Sequence, residues 1–330
     1  MMTAFITRRE ACRILMASTA CAFQVARGAE PDRAKFRLNY SLASSLYGTL
    51  PLEKILPEVR RLGCETIDLW PRPHGSQREQ VEEMGHGAFQ KLLDQNNVQL
   101  GMTTRYDLGA FSLTDEMSFV QKFGGRLIVT GARKGVGKSE KEQIQEFMQK
   151  MTPHVSRAEK LGVTIAIENH VNSLLESPDS LRYFAELSPS PHLGIAYAPY
   201  HLPQDPLLQA QLIEEIGPKL VHFYAWEHGD GAMKKLPKEQ ELKQLPGRGP
   251  FDFKPVLAAL QKIGFSGWTQ VFMHPVPRGI PIMESIPDIA ELILESQAYL
   301  EQVALTGARG KGVLIDETQS AARQNPDNAR

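Results

Sequence analysis

The strongest constraint on the fold is an alternation that starts at Phe36 and repeats eight times. Each repeat is a short run of β-branched and aromatic residues followed by a longer stretch of helical periodicity. The strand-like runs cover residues 36–41, 65–70, 98–104, 126–130, 163–170, 193–198, 220–227 and 268–273. The helix-like stretches cover 52–62, 77–96, 114–123, 139–161, 178–187, 206–216, 253–263 and 289–305. A chain of 330 residues suits one large α/β barrel or two ordinary domains, and no long composition break divides the series. Eight consecutive units therefore predict a single closed parallel (β/α)8 barrel, a TIM barrel, over residues 31–305. Such a barrel carries its reactive groups at the carboxyl ends of the strands, so the polar residues there form the functional shortlist.

The fifth run, Val163 to His170, shows the pattern most clearly. Side chains alternate along a strand, which sets Val163, Ile165 and Ile167 on one face and Thr164, Ala166, Glu168 and His170 on the other. A central strand does not hold a lone carboxylate without a cation or a polar ligand to meet it. The same alternation turns Gly194, Ala196 and Ala198 inward in the sixth run, with His201 three residues beyond. His222, Tyr224 and Trp226 share a face in the seventh, and Trp268, Gln270, Phe272 and His274 point inward in the eighth. Asp68 and Trp70 come from the second. One mouth should thus gather Glu168, His170, His201, His222, Gln270 and His274. A single inward His is more often a hydrogen-bonded core residue than a ligand. Trp70, Tyr224 and Trp226 read equally well as core filler or as walls that stack on a sugar.

Charge excludes some partners. Lys plus Arg nearly balances Asp plus Glu, for a formal net charge of -1, which gives no footprint for nucleic acid or an anionic membrane. Residues 1–30 differ from the rest: Thr7-Arg8-Arg9-Glu10, an apolar run from Ile14 to Phe23, then small residues around Ala26 and Ala29. The pattern resembles a twin-arginine export signal, with an apolar run too short to span a bilayer, and predicts export without stable membrane insertion. A disordered basic leader is the bland alternative. Cys12 and Cys21 lie in this leader, so Cys64 is left alone and stability must come from the core. Residues 306–330, rich in Gly, Ala, Gln, Asn and Arg, read as a disordered tail.

Ile165-Ala166-Ile167-Glu168-Asn169-His170, Leu193-Gly194-Ile195, Pro199-Tyr200-His201, Val221-His222 and Gly264-Phe265-Ser266-Gly267-Trp268 occur in this order at compatible spacing. The series resembles the sugar phosphate isomerase/epimerase family, with its xylose isomerase-like TIM barrel. The resemblance implies a small-molecule sugar or keto-sugar substrate. It also implies a divalent metal (Mn, Mg or Zn) that polarises a sugar carbonyl while flanking carboxylates move a proton. Carried over, it makes Glu168 a ligand or base and His222 a ligand, both catalytic. Ala198 stands where the family has a metal-binding Asp, although His201 of the same motif is kept, and the final Glu falls on Gln270 or Phe272. The metal set left is Glu168, His201, His222, Gln270 and His274, rich in nitrogen and suited to zinc. Trp70, His170, Tyr224, Trp226 and Arg278 are the candidate substrate contacts. A non-catalytic carbohydrate-binding barrel is the alternative from another class.

Three loops also stand out. Residues 106–113 and 229–250 are longer than a connection requires, and the second is a candidate lid. Ala132-Arg133-Lys134-Gly135-Val136-Gly137-Lys138-Ser139 approximates a phosphate-binding loop with Ala for its first Gly, the remote nucleotide-dependent alternative. No later apolar run ends in the Asp such a site needs for magnesium, so a basic loop at the barrel mouth, meeting an anionic or hydroxylated substrate, is the simpler reading.

Overall fold

A computed structural model describes residues 36–308; the leader and most of the tail lie outside the described residues. Eight parallel strands close into one barrel in chain order: β1 (Asn39–Ala43), β2 (Thr66–Leu69), β3 (Gln99–Thr104), β4 (Leu127–Thr130), β5 (Thr164–Glu168), β6 (Leu193–Tyr197), β7 (Leu220–Ala225) and β8 (Trp268–Val271). Closure is made by β1 against β8, where Asn39 pairs with Trp268 and Tyr40 with Thr269. The predicted (β/α)8 barrel is the observed one, and each predicted strand contains or overlaps an observed one.

The helices outside the barrel follow the predicted stretches with one division. The polar stretch over 77–96 is two helices, Gln77–Met84 and His86–Asn96, because Gly85 sits between them at φ +81°, a conformation that breaks an α-helix. The helix before β5, Glu140–Leu161, opens on a capping box between Ser139 and Glu142 and ends at Gly162. It delivers the chain into β5 so that Ile165 and Ile167 are buried toward the helical shell. With Ile195 and Phe223 they form part of a continuous core, each contributing about 1.5–3 kcal/mol when fully buried. This shell fixes the strands, and the strands aim the residues at their ends. The last helix runs Ile286–Ala308. No described helix is long and apolar enough to cross a membrane.

Candidate active site at the barrel mouth

At the carboxyl ends of the strands lies a cavity of about 580 Å³. Glu168, the last residue of β5, lines it and is 3 % exposed. Burial pushes its carboxyl up to about 8, against a hydrogen bond from the Tyr106 hydroxyl to Oε2 that favours the ionised form. His201 Nε2 lies 3.8 Å from Glu168 Oε1, and the His201 ring is 3.9 Å from that of His170. His74 and His274 line the same cavity with their rings 4.7 Å apart. Burial lowers His201 to about 2, His74 to about 4, and His274 well below its usual range, so these imidazoles are neutral at pH 7. The polar lining around Glu168 is thus the Tyr106 phenol and the His201 imidazole, with Asp107, Arg133 and Asn172 elsewhere in the cavity wall.

Tyr106 is held in place by a buried ion cluster. Glu116, 3 % exposed on the helix Thr114–Lys122, accepts from Arg78 Nε at 3.1 Å and from Arg105. Arg105 also forks onto both oxygens of Asp107 at 3.0 and 2.8 Å. The two residues flanking Tyr106 are thus tied down, and the loop over 106–113 is a wall of the cavity.

Beneath the cavity lies a second polar layer. Asp68, fully buried, accepts from Trp70 Nε1 at 2.6 Å, Thr104 Oγ1 at 2.9 Å and Gln270 Nε2 at 3.1 Å, and burial raises its carboxyl to about 7. Trp70, Tyr224 and Trp226 pack on Phe272 at ring distances of 5.2, 5.0 and 5.1 Å. The indole N–H of Trp226 donates to Gln244 at 3.0 Å.

This layering separates the predicted site residues. Glu168, His170, His201 and His274 do line one cavity, but His222 does not: it is buried inside the barrel against Tyr224, ring to ring 4.4 Å, and burial lowers it to about 3. Strand tilt and the shift of register between β6 and β7 set it below the residues that line the cavity, with both ring nitrogens buried and, among the described residues, without a hydrogen-bond partner. Gln270 is engaged with Asp68 in the same lower layer. Trp70, Tyr224 and Trp226 lie under the cavity and do not line it; their places are those of core filler. Arg278 does not line it either, donating to the carbonyls of Pro275 at 2.6 Å and Ala232 at 3.1 Å.

The donor set does not fit the expected metal. Glu168 and His201 approach each other, but the remaining donors diverge, Ala198 offers no carboxylate, and the Tyr106 phenol occupies Glu168 Oε2. Among the described residues no three His, Cys, Asp or Glu side chains form a group able to hold an ion.

The two other loops are explained by their contacts. In the phosphate-loop-like segment, Lys134 pairs with Glu176, Lys138 with Glu146 at 2.6 Å, and Ser139 caps its helix, so both lysines and the hydroxyl are engaged. Only Arg133 of its basic residues lines the cavity. The loop over 229–250 is anchored: Gln244 donates to the His274 carbonyl at 3.0 Å, and Glu227 accepts from Phe251 N at 2.8 Å. No residue of it lines the cavity. Sequence reasoning missed His74, Tyr106 and Phe111 as cavity residues. For His74 and Tyr106 the available signal was position, each lying a few residues past the end of a strand.

The model of the xylose isomerase-like TIM barrel family matches residues 56–302. The chain belongs to this family. No curated protein matches it. Among solved structures, a D-psicose 3-epimerase from Clostridium cellulolyticum H10, solved with D-tagatose, is 13 % identical with a TM-score of 0.61, over 81 % of this chain and 99 % of that one. An L-ribulose 3-epimerase is 15 % identical at a TM-score of 0.61, over 83 % and 96 %. The IOLI protein, solved with a bound zinc atom, is 14 % identical at 0.60, over 82 % and 98 %. At these identities the likeness is one of fold.

Proposed function

We propose that this family member binds a sugar or keto-sugar in the mouth cavity and moves a proton on it with Glu168, as an isomerase or epimerase does. The observation that carries the reading is a buried carboxyl in the cavity that accepts from the Tyr106 phenol, lies 3.8 Å from His201 and, among the described residues, has no Lys or Arg paired to it. An acid poised near neutrality can both give and take a proton at physiological pH. The Tyr106 hydroxyl, hydrogen-bonded to Oε2, and His201 Nε2, 3.8 Å from Oε1, flank the carboxyl and orient a sugar beside it. Because the donors do not converge, no step is routed through a metal. The epimerase neighbours add support for the substrate class.

The test is solvent exchange. Ketohexoses incubated with the protein in deuterated water should gain deuterium at the carbon beside the carbonyl, read by NMR. Glu168→Gln should abolish the gain while calorimetric binding persists; unchanged exchange in the variant would sink the proposal. A second reading, a non-catalytic sugar-binding barrel, is favoured by Ala198 and by Asp107, the cavity's other carboxylate, being forked by Arg105. It predicts binding without exchange in the wild-type protein. An exported location rests on the leader sequence alone, and cell fractionation tests it.

A further inference from the structure

The sugar reading accounts for only part of the cavity. Among the described residues seven large apolar side chains are exposed, and two of them, Phe111 at 46 % and Val171 at 51 %, line this one cavity. They come from different loops, after β3 and after β5, and Leu108 and Ala110 join them. Phe111 is supported from behind, its ring 5.6 Å from that of Phe147 and 5.8 Å from that of His154. An aromatic wall can stack on one face of a sugar ring, but Phe111, Val171, Leu108 and Ala110 together give more apolar surface than one sugar face, hydroxylated around its edge, covers. The cavity volume is in the range that takes a drug-sized ligand. Exposed apolar surface continuous with a polar reactive end is what an amphipathic small molecule requires.

We propose that the ligand is a glycoside, its sugar ring among Glu168, Tyr106 and His201 and its apolar aglycone, aromatic or short alkyl, against Leu108, Phe111 and Val171. The inference rests on the sugar reading above and narrows its substrate class; since the anomeric carbon of a glycoside is an acetal, the proton transfer of that reading applies to a glycoside with a carbonyl elsewhere on its ring.

Calorimetric titration of the full chain tests it, with D-glucose, D-galactose and D-fructose each supplied as free sugar, methyl glycoside and phenyl glycoside. The phenyl glycoside of the preferred sugar should bind at least about tenfold more tightly than the free sugar, the methyl glycoside falling between. Phe111→Ala should pull that ratio toward one. Val171→Ser, at a more exposed position, should do the same and stands in if the first variant does not fold. Equal affinity for free sugar and phenyl glycoside would overturn the inference and leave the sugar reading intact, as would a phenyl preference untouched by both variants. Binding of none of the sugars in any form would remove the sugar reading and this inference together. A concentration-dependent dimer in sedimentation, lost in Phe111→Ala, would assign the apolar rim to a subunit interface and overturn the glycoside.

Discussion

Replacing Glu168 with Gln should make stability less sensitive to alkali. In the folded chain burial raises this carboxyl from 4.5 to about 8, while in the unfolded chain it titrates normally. Below pH 4.5 both states hold the proton and the group costs nothing. Between 4.5 and 8 the unfolded chain ionises first, so stability falls as pH rises, and above about 8 the loss is complete. At about 1.4 kcal/mol per pH unit across this window, the full loss is about 5 kcal/mol. Water entering the cavity would trim it to no less than about 2 kcal/mol. Gln has the same shape, still accepts from the Tyr106 hydroxyl, and does not titrate. Asp68 and Glu227, also raised to about 7, are present in both proteins and cancel in the difference. Guanidinium unfolding of both proteins at pH 4.5 and pH 9 gives the comparison. The variant should gain on the wild type by about 2–5 kcal/mol between these pH values. Parallel pH dependences would refute the claim that Glu168 is held neutral by burial.

Three further perturbations probe other parts of the site. Glu116→Ala leaves Arg78 and Arg105 without their shared buried partner, and should cost about 3–5 kcal/mol and expose the loop over 106–113 to protease; an unshifted melting temperature would show that the cluster does not anchor the loop. In Gly249→Ala the new Cβ would lie 2.2 Å from Glu227 Oε2 and 2.3 Å from the Lys243 carbonyl, so a loss of about 1–3 kcal/mol is expected in denaturant titration. Dialysis against EDTA should leave the melting temperature unchanged, and elemental analysis before dialysis should find less than one tightly held ion per chain. Stoichiometric metal would show that the donors rearrange to bind it.

The fold was legible because hydrophobic periodicity repeats faithfully: eight runs, eight helical stretches and glycine stops such as Gly162 leave few topologies open. The inward faces were legible too, since alternation carries a residue such as Gln270 to the interior from its position alone. Depth was not. Whether an inward residue reaches the mouth depends on strand tilt and register, and the slip between Ile195 and Ala196 leaves His222 buried below Glu168. Loop residues were the other blind spot. Tyr106 reaches Glu168 only because Arg105 and Asp107 are bound to each other and Arg105 to Glu116, contacts with no periodic signature.

The Tyr106–Glu168 bond sets a condition on anything that arrives. Its phenol is a placeholder, already making the contact a newcomer would want, so a guest must either displace it or share the carboxyl with it. A compound bearing a hydroxyl in the right position can exchange with the tyrosine at little cost, whereas one without it leaves an acid stripped of its companion. Discrimination at this mouth would then begin with a swap of one hydroxyl for another, before any bond in the guest is altered.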